Sequence, residues 1–245
     1  MAHSFLTSDN NDGVVYINLD SRTDKNEEIK GVFSRLGVPE DKLLRLSAVD
    51  GKAVIGDYDV MCDYFASRPG ALGCALSHIK ALKLAIENDW DRVLIVEDDF
   101  LPTVEPNVFW GRLNAGLEEL SEDFDVLLLG YVRDRGLGDL TPISRNSSVA
   151  RVSLAQTTSA YIVARRYYKT LLDHFSECVR CATDASSTRV LMLHSNPNIF
   201  AIDQWWKSLQ ERGRWYAAVP RLSRQRPGYS DIEGNYHDYS RWEMG

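Results

Sequence analysis

One short apolar run constrains the fold more than any other feature. It is Arg92-Val93-Leu94-Ile95-Val96, and it ends directly in Glu97-Asp98-Asp99. A run this apolar does not suit the edge of a sheet, so it predicts a central strand that is buried on both faces. Nearer the N-terminus, the pattern predicts a strand over residues 13–19, a helix ending at Gly37 and a strand over residues 43–49. A strand–helix–strand unit of this kind indicates a parallel sheet.

The rest of the chain continues the alternation of strands and helices. Residues 51–70 read as a long connection, because glycine and proline punctuate them. The periodicity predicts helices over about 72–88, 104–120, 166–178 and 203–212, and strands over about 125–130, 150–155, 159–164 and 215–219. The sequence therefore predicts an α/β fold with a mostly parallel central sheet flanked by helices. We expect a flexible N-terminus over 1–12, one domain over 13–233 and a tail over 234–245.

Composition narrows the classes of partner. The chain has 28 Lys and Arg against 35 Asp and Glu, a net charge of −7, which disfavours nucleic-acid or anionic-membrane binding. No apolar run is long enough to span a bilayer, and the polar N-terminus lacks the layout of a signal peptide. We therefore expect a cytoplasmic protein without a transmembrane segment.

The cysteine spacing offers one further motif. Cys178-Val-Arg-Cys181 has the C-x-x-C spacing of many zinc sites, but no second close pair accompanies it. The pair also closes a predicted helix, whereas a redox motif opens one. We interpret it as structural or incidental.

The acidic triplet lies where open α/β sheets bind ligands, at the carboxyl end of a strand. Residues 97 and 99 point the same way in an extended chain, so Glu97 and Asp99 can converge on one ion. Three adjacent carboxylates repel one another, and a divalent cation would hold them ionised. The alternative is a solvated acidic turn.

A series of blocks carries a resemblance to a known family. The blocks are Val15 to Arg22, Ser47 to Gly51, Gly73 to His78, Leu94 to Asp99, Asp125 to Gly130, Thr158 to Tyr161, Ile202-Asp203, and Gln225 with Ser230-Asp231-Ile232. In this order they resemble glycosyltransferase family 25, which includes lipopolysaccharide galactosyltransferases and collagen galactosyltransferases. The resemblance covers about residues 13–233, and an ordered series is more specific than one motif. Residues 180–200 and the chain after Ile232 match nothing in that pattern.

The resemblance implies a single-domain Rossmann-like fold of the GT-A type, in which the triplet acts as a DxD-like motif. That motif would hold Mn²⁺, or another divalent cation, on the diphosphate of a UDP-sugar. The expected reaction moves a hexose, galactose by family resemblance, with inversion from a nucleotide-sugar donor to an acceptor hydroxyl. The acceptor would be a glycan, a lipopolysaccharide or a hydroxylysine.

Several residues follow from this reading as site candidates. For the metal, Asp99 is the first choice and Glu97 the second. His237 is a third candidate because some enzymes of this fold type use a histidine from the tail; the alternative is a solvated histidine, since no motif fixes His237 at the site. Asp98 is expected to contact ribose or a backbone amide. The donor candidates are Asn18, Arg22, Asp50 and Ser77, although Ser77 and its neighbour His78 are also suited to a packing role. Three arginines near the C-terminal end could form a clamp over the nucleotide-sugar donor, or they could belong to a solvated surface stretch; they are Arg221, Arg224 and Arg226.

An inverting transfer needs a base for the acceptor hydroxyl. Asp203 is the candidate, because it begins a predicted helix beside Trp205 and Trp206, whose faces could bind a sugar. The alternative is that Asp203 only caps that helix. Asp231 is the second candidate for the base.

Two other functions share these residues. A non-catalytic nucleotide-sugar or glycan-binding protein would keep the fold without turnover. A metal-dependent phosphohydrolase would use the same carboxylates, but it leaves the long ordered series of blocks unexplained.

Overall fold

The computed structural model describes residues 4–7, 10–58, 63–121, 123–133, 140–183 and 197–238. Its strands are β1 (Asp12–Asn18), β2 (Leu43–Ser47), β3 (Arg92–Glu97), β4 (Phe100–Pro102), β5 (Val126–Leu128), β6 (Val132–Arg133), β7 (Leu140–Pro142), β8 (Val149–Val152), β9 (Ala155–Gln156), β10 (Ala160–Ala164), β11 (Trp215–Ala218), β12 (Ser223–Gln225), β13 (Gly228–Ser230) and β14 (Asn235–His237).

The helices alternate with these strands along the chain. They are α1 (Thr23–Leu36), α2 (Gly51–Val54), α3 (Asp63–Ser67), α4 (Pro69–Glu87), α5 (Pro106–Leu120), α6 (Tyr168–Thr183), α7 (Ile202–Trp205) and α8 (Lys207–Gln210). Short 3-10 turns occupy Glu40–Lys42, Ile55–Asp57, Arg165–Tyr167 and Pro197–Phe200. No described helix is long and apolar enough to cross a membrane.

The predicted α/β fold is confirmed. Within the described ranges the main sheet has eight strands in the order β2-β1-β3-β10-β5-β11-β8-β7. β1 pairs in parallel with β2 and β3, and β5 pairs in parallel with β11, whereas β10 and β8 run the other way. Six of the eight described strands therefore point in one direction, and β3 is interior as its apolar run predicts.

Helices cover both faces of this sheet. In β3, Val93 and Ile95 face a core layer that contains α4 and α6, while Leu94 and Val96 face a layer that contains α1 and α5. This alternation is what a strand buried on both sides requires. The layers leave the carboxyl ends of β1, β2 and β3 together at one edge, with Glu97 at the end of β3.

Two predicted segments differ from the structure. The connection over 51–70 contains α2 and α3, so it is partly helical. The single helix predicted over 203–212 is two short helices, α7 and α8, that meet at Trp206. The indole of Trp206 is buried and its Nε1 donates to the Ala155 carbonyl at 3.0 Å, which ties the chain to β9 at this break.

The N-terminal end of the described chain packs against α5, and the C-terminal end forms a separate hairpin. Phe5 is 4% exposed and its amide donates to Asn114 Oδ1 at 2.9 Å, although the sequence predicts a flexible segment there. Near the other end β14 pairs antiparallel with β13, and His237 lies opposite Gly228. Cys178 and Cys181 are buried in the last turns of α6, in the core layer over the sheet.

Candidate functional site

A cavity of about 880 Å³ opens at the carboxyl ends of β1, β2 and β3. Its size falls in the usual range for sites that bind small molecules and cofactors. Acidic side chains of the wall are Asp50, Glu97, Asp98, Asp99, Asp203, Asp231 and Glu233; basic ones are Lys25, Lys52 and Arg68. The cavity is where the position of the triplet predicts a ligand site.

One carboxylate oxygen of Asp99 accepts a hydrogen bond, and the other does not. Gln225 Nε2 donates to Oδ2 at 3.1 Å, and the backbone carbonyl of Asp99 accepts from the Arg226 amide at 2.7 Å. Oδ1 is buried and has no hydrogen-bond partner among the described residues. Burial, and then the charge of Glu97, raise the pKa of Asp99 to about 7, and Lys25 offsets part of this rise. A buried carboxylate oxygen that has no hydrogen-bond partner and lies beside other carboxylates is energetically unfavourable unless it binds a proton or a cation.

Glu97 is held more firmly. The Thr158 hydroxyl donates to its Oε1 at 2.8 Å, and His78 Nε2 lies 3.5 Å from the same oxygen. Burial acts to raise the pKa of Glu97, but His78 and the Thr158 hydroxyl together outweigh burial and leave this pKa below its ordinary value. Glu97 is therefore more readily ionised than Asp99.

Asp98 turns toward α1 instead. Asn18 Nδ2 donates to its Oδ2 at 2.8 Å, and Lys25 Nζ lies 3.3 Å from its Oδ1. Burial raises the pKa of Asp98, against the effect of Lys25. The structure gives this carboxylate side-chain partners, where the sequence interpretation expected ribose or a backbone amide.

Two residues that were predicted to contact the nucleotide-sugar donor lie behind the cavity wall. Asn18 is buried, and its side chain donates to the Arg22 carbonyl and to Asp98 while it accepts from Arg45. The guanidinium of Arg22 pairs with Asp24 at 2.8 Å and with Asp231. Neither Asn18 nor Arg22 is among the described residues that line the cavity, so the structure does not support their direct contact with a ligand there. Lys25, one helical turn further along, lines the cavity in their place.

Ser77 and Asp50 line the cavity, but their side chains already form hydrogen bonds with the backbone. Ser77 Oγ donates to the Gly73 carbonyl at 2.6 Å and accepts from the Val49 amide at 2.8 Å, which pins the loop after β2 to α4. The Asp50 carboxylate accepts from the Lys52 amide at 2.9 Å and caps α2. Both side chains therefore shape the wall.

Glycine allows these two segments to touch. A Cβ added at Gly51 would lie 1.8 Å from the Pro69 carbonyl oxygen, and one added at Gly73 would lie 2.4 Å from the Val49 carbonyl oxygen. Only glycine permits so close an approach of two backbones. Gly51 ends one sequence block and Gly73 begins the next, and both lie at this one contact between the loop after β2 and α4.

Asp203 lies on the opposite wall. The N-cap of α7 is Ala201, so the alternative in which Asp203 only caps this helix is wrong. Asp203 Oδ2 accepts from the Thr157 amide at 3.0 Å. Burial raises the pKa of Asp203, while the Thr157 amide and then Lys207 act to lower it.

Thr157 was not predicted and joins the two sides. Its φ of 75° is in the left-handed region, which a β-branched residue rarely adopts. In this conformation its amide reaches Asp203, and its hydroxyl donates to Gln225 Oε1 at 3.2 Å. Gln225 in turn holds Asp99, so a chain of hydrogen bonds runs from Asp203 to the triplet.

The predicted tryptophan platform is wrong. Trp206 is fully buried and packs edge-on against Tyr161 and Trp215. Trp205 stacks on Phe200 with ring centroids 5.8 Å apart. Neither indole is among the described residues that line the cavity.

The chain after β12 contributes two predicted residues to the cavity but not the predicted clamp of arginines. His237 lines the same cavity as Glu97 and Asp99, and Asp231 lines it while paired with Arg22 and Lys25. The three clamp arginines, Arg221, Arg224 and Arg226, are not among the described lining residues. Arg226 pairs with Glu28, and Arg221 lies over the Tyr131 ring at 4.8 Å. Residues 184–196, within the segment 180–200 that matches nothing in the family pattern, lie outside the described residues.

The oxygen atoms around Asp99 suit a hard divalent cation as ligands. Asp99 Oδ1, which has no hydrogen-bond partner among the described residues, and the neighbouring carboxylate of Glu97 offer oxygen ligands, which Mn²⁺ and Mg²⁺ prefer. A cation here would also offset the two effects that raise the pKa of Asp99, which are burial and then repulsion by Glu97.

No protein-family model and no curated protein matches the chain. Among solved structures, it is similar to a mannose-1-phosphate geranyltransferase from Thermus thermophilus, with a TM-score of 0.46 and 11% identity over 85% of this chain and 73% of that one. It is similar to a glycosyltransferase involved in glycosylation of the major capsid of PBCV-1, with a TM-score of 0.37 and 8% identity over 91% and 95%. A Drosophila beta-1,4-galactosyltransferase 7 variant in complex with manganese, UDP-Gal and xylobiose matches with a TM-score of 0.30 and 13% identity over 65% and 51%. At these TM-scores the likenesses assign neither a family nor an activity to this chain.

Proposed function

We propose that this chain is a metal-dependent inverting glycosyltransferase that moves a hexose from a nucleotide-sugar donor to an acceptor hydroxyl. The observation that carries the proposal is Asp99 Oδ1, a buried carboxylate oxygen without a hydrogen-bond partner among the described residues, on the wall of a cavity large enough for such a donor. The ordered sequence blocks support the finer proposal of a family 25 enzyme that uses UDP-galactose and Mn²⁺.

The metal would be held by Asp99 and Glu97, with His237 as a further ligand from the tail. A bound divalent cation supplies Lewis acidity, which stabilises the negative charge on a departing diphosphate. Lys52 and Arg68 line the same cavity and add positive charge for an anionic donor. Asp98 and Lys25 hold each other on the α1 side, where they keep the end of β3 in place.

Asp203 would act as the base. Its raised pKa suits a group that must take a proton near neutral pH, and its carboxylate is fixed by the Thr157 amide. As the acceptor oxygen attacks the anomeric carbon, its proton passes to Asp203, and the bond to the diphosphate breaks on the opposite face. Asp231 is the weaker candidate, because Arg22 and Lys25 already engage its carboxylate. The acceptor would be a glycan, a lipopolysaccharide or a hydroxylysine.

Thermal unfolding tests the donor class and the metal together. The protein is heated with UDP, UDP-galactose, UDP-glucose or a guanosine diphosphate sugar, each with Mn²⁺ or with EDTA. A ligand bound by the folded state alone stabilises it by about 2.7 kcal/mol at a hundredfold excess over its dissociation constant. We expect a higher midpoint with UDP and UDP-galactose that EDTA abolishes. Asp99→Asn should lose this shift, and Asp173→Asn, which removes an exposed carboxylate on α6, should keep it.

Product analysis separates the rival functions. Transfer of hexose to an acceptor from a panel of glycans and hydroxylysine peptides supports the proposal. Donor binding without any product would identify a non-catalytic binding protein. Release of phosphate from simple phosphate esters without sugar transfer would identify a phosphohydrolase, and no stabilisation by any nucleotide would overturn the donor site itself.

A further inference from the structure

Three different metal-ligating side chains meet where α4 crosses the end of β3. They are Cys74, His78 and Glu97, here called the Cys-His-Glu cluster, and their ligand atoms all lie within 4.8 Å of one another. Cys74 and His78 are four residues apart on α4, so they project from one face of the helix. All three residues line the cavity.

His78 is held as a metal-binding histidine usually is. Its Nδ1 lies 2.8 Å from the Tyr161 hydroxyl, which fixes the ring, and only 1% of its side chain is exposed. Its Nε2 is buried and makes no hydrogen bond within the described part of the chain. A second hydrogen bond on the far nitrogen is the common way to orient a histidine toward a metal.

The spacing also suits a small tetrahedral ion. His78 Nε2 and Glu97 Oε1 are 3.5 Å apart, which is long for a hydrogen bond between nitrogen and oxygen. Two ligands bound at about 2.1 Å in a tetrahedral site lie about 3.4 Å apart. The pair therefore needs little movement to share an ion, and the Cys74 sulfur lies within 4.8 Å of both ligand atoms.

The chemistry of this cluster differs from that around Asp99. A thiolate and an imidazole favour borderline transition metals of the Zn²⁺ class, whereas carboxylates alone favour Mn²⁺ and Mg²⁺. Three protein ligands with a fourth position open toward a cavity is the arrangement of a zinc site that can still bind a further ligand.

We propose that Cys74, His78 and Glu97 bind Zn²⁺ or a chemically similar transition metal at a site separate from the oxygen ligands of Asp99. Binding replaces the thiol proton of Cys74, which is released to solvent. Because Glu97 belongs to both sets of ligands, Zn²⁺ here competes with a cation held by Asp99 and Glu97. The proposal does not rest on the transferase activity, since it concerns metal binding to the protein alone.

Titration with Co²⁺ tests the site, because a cobalt ion bound by a thiolate absorbs in the near ultraviolet. We expect one Co²⁺ per chain with this band, displaced by one equivalent of Zn²⁺. Cys74→Ser should abolish the band and His78→Gln should weaken binding at least about tenfold. Asp99→Asn should keep the band, and so should Cys181→Ser, which removes a thiol of α6 outside the cluster. No thiolate band, or one that survives Cys74→Ser, would overturn the proposal.

Alkylation of the unmodified protein gives a second test that needs no variant. The protein is treated with N-ethylmaleimide, and the label on the peptide containing Cys74 is measured by mass spectrometry. One equivalent of Zn²⁺ should slow labelling of Cys74 at least about tenfold, because a bound thiolate is withheld from the reagent. Mn²⁺ at the same concentration should not slow it. Equal labelling with and without Zn²⁺ would exclude the site.

Discussion

The two walls of the cavity are built differently. The N-terminal wall comprises β1, β2, β3 and α4, and its parts are tied by internal contacts such as Ser77 to the Val49 amide and Asn18 to Asp98. The C-terminal wall comprises α7, β12, β13 and β14, which have three or four residues each. It joins the N-terminal wall through a few polar links, including Gln225 to Asp99 and Arg22 to Asp231.

This difference suggests a division of roles. Buried strands and close backbone contacts make the N-terminal wall hard to alter without loss of stability. The short pieces of the C-terminal wall bury little of the sheet and carry the candidate base, so changes there should affect turnover more than folding. If so, substitutions in the N-terminal wall should change stability and substitutions in the C-terminal wall should change turnover.

The largest expected effect is on turnover, at Asp203 of the C-terminal wall. Asp203→Asn keeps the shape and the acceptor oxygen for the Thr157 amide but cannot take a proton. We expect turnover to fall about 10²- to 10⁴-fold, the usual contribution of a general base. UDP release from UDP-galactose with acceptor in excess measures it. The thermal midpoint and the stabilisation by UDP should stay close to those of the unaltered protein; near-normal turnover would exclude Asp203 as the base.

The next effect concerns stability of the N-terminal wall. Gly51→Ala places a Cβ 1.8 Å from the Pro69 carbonyl oxygen, so the loop after β2 must separate from α4. We expect the free energy of unfolding in urea to fall by about 3 kcal/mol, at the upper end for overpacking. Gly56→Ala is the matched control, because an added Cβ there meets nothing within 4 Å. Equal stability of the two variants would contradict this prediction and show that the contact between the loop after β2 and α4 can open at little cost in stability.

The sequence predicts the N-terminal wall well for the same physical reason. Alternation in β3 and helical periodicity in α4 are local patterns, so they give the central strand, the flanking helices and the position of Glu97 and Asp99. The paired glycines at 51 and 73 stand in two sequence blocks, but only the structure shows that they touch.

The C-terminal wall escaped prediction because long-range contacts determine it. Apolar periodicity could not show that Trp206 would be drawn into the core and divide one helix into two. Thr157 carries no sequence signal for a left-handed backbone, since that conformation is unusual for threonine. Arg22 is held away from the cavity by Asp231, which lies 209 residues further along the chain, and no local pattern shows that Lys25 takes its place.

Removal of the Asp99 charge should separate stability from metal binding. The pKa of Asp99 is about 7 in the fold against an ordinary 3.8, so the folded state binds this proton more tightly than the unfolded state. Its contribution to the free energy of unfolding therefore falls as pH rises from about 4 to about 7. In EDTA, Asp99→Asn should be more stable than the unaltered protein by about 1–3 kcal/mol at about pH 8, and the gain should vanish near pH 4.

Urea unfolding of both proteins across this pH range measures the difference, and titration of carboxylates remote from Asp99 largely cancels in it. Glu97 does not cancel, because its charge contributes to the raised pKa of Asp99, and relief of this repulsion is part of the gain expected for the variant. Mn²⁺ should reverse the order at about pH 8, because only the unaltered protein keeps Asp99 as a ligand. A variant that is less stable at every pH would show that the Asp99 charge is already compensated within the fold.

The smallest effect is expected at Asp231, on the outer part of the C-terminal wall. Its carboxylate is 32% exposed and pairs with Arg22 and Lys25, and such partly exposed pairs contribute about 1 kcal/mol or less. Asp231→Asn should therefore lower the thermal midpoint slightly and leave turnover within a few-fold of normal. Measured beside Asp203→Asn under the same conditions, it decides which carboxylate takes the proton. A loss at Asp231 as large as that expected at Asp203 would move the base from α7 to the segment that joins β13 to β14.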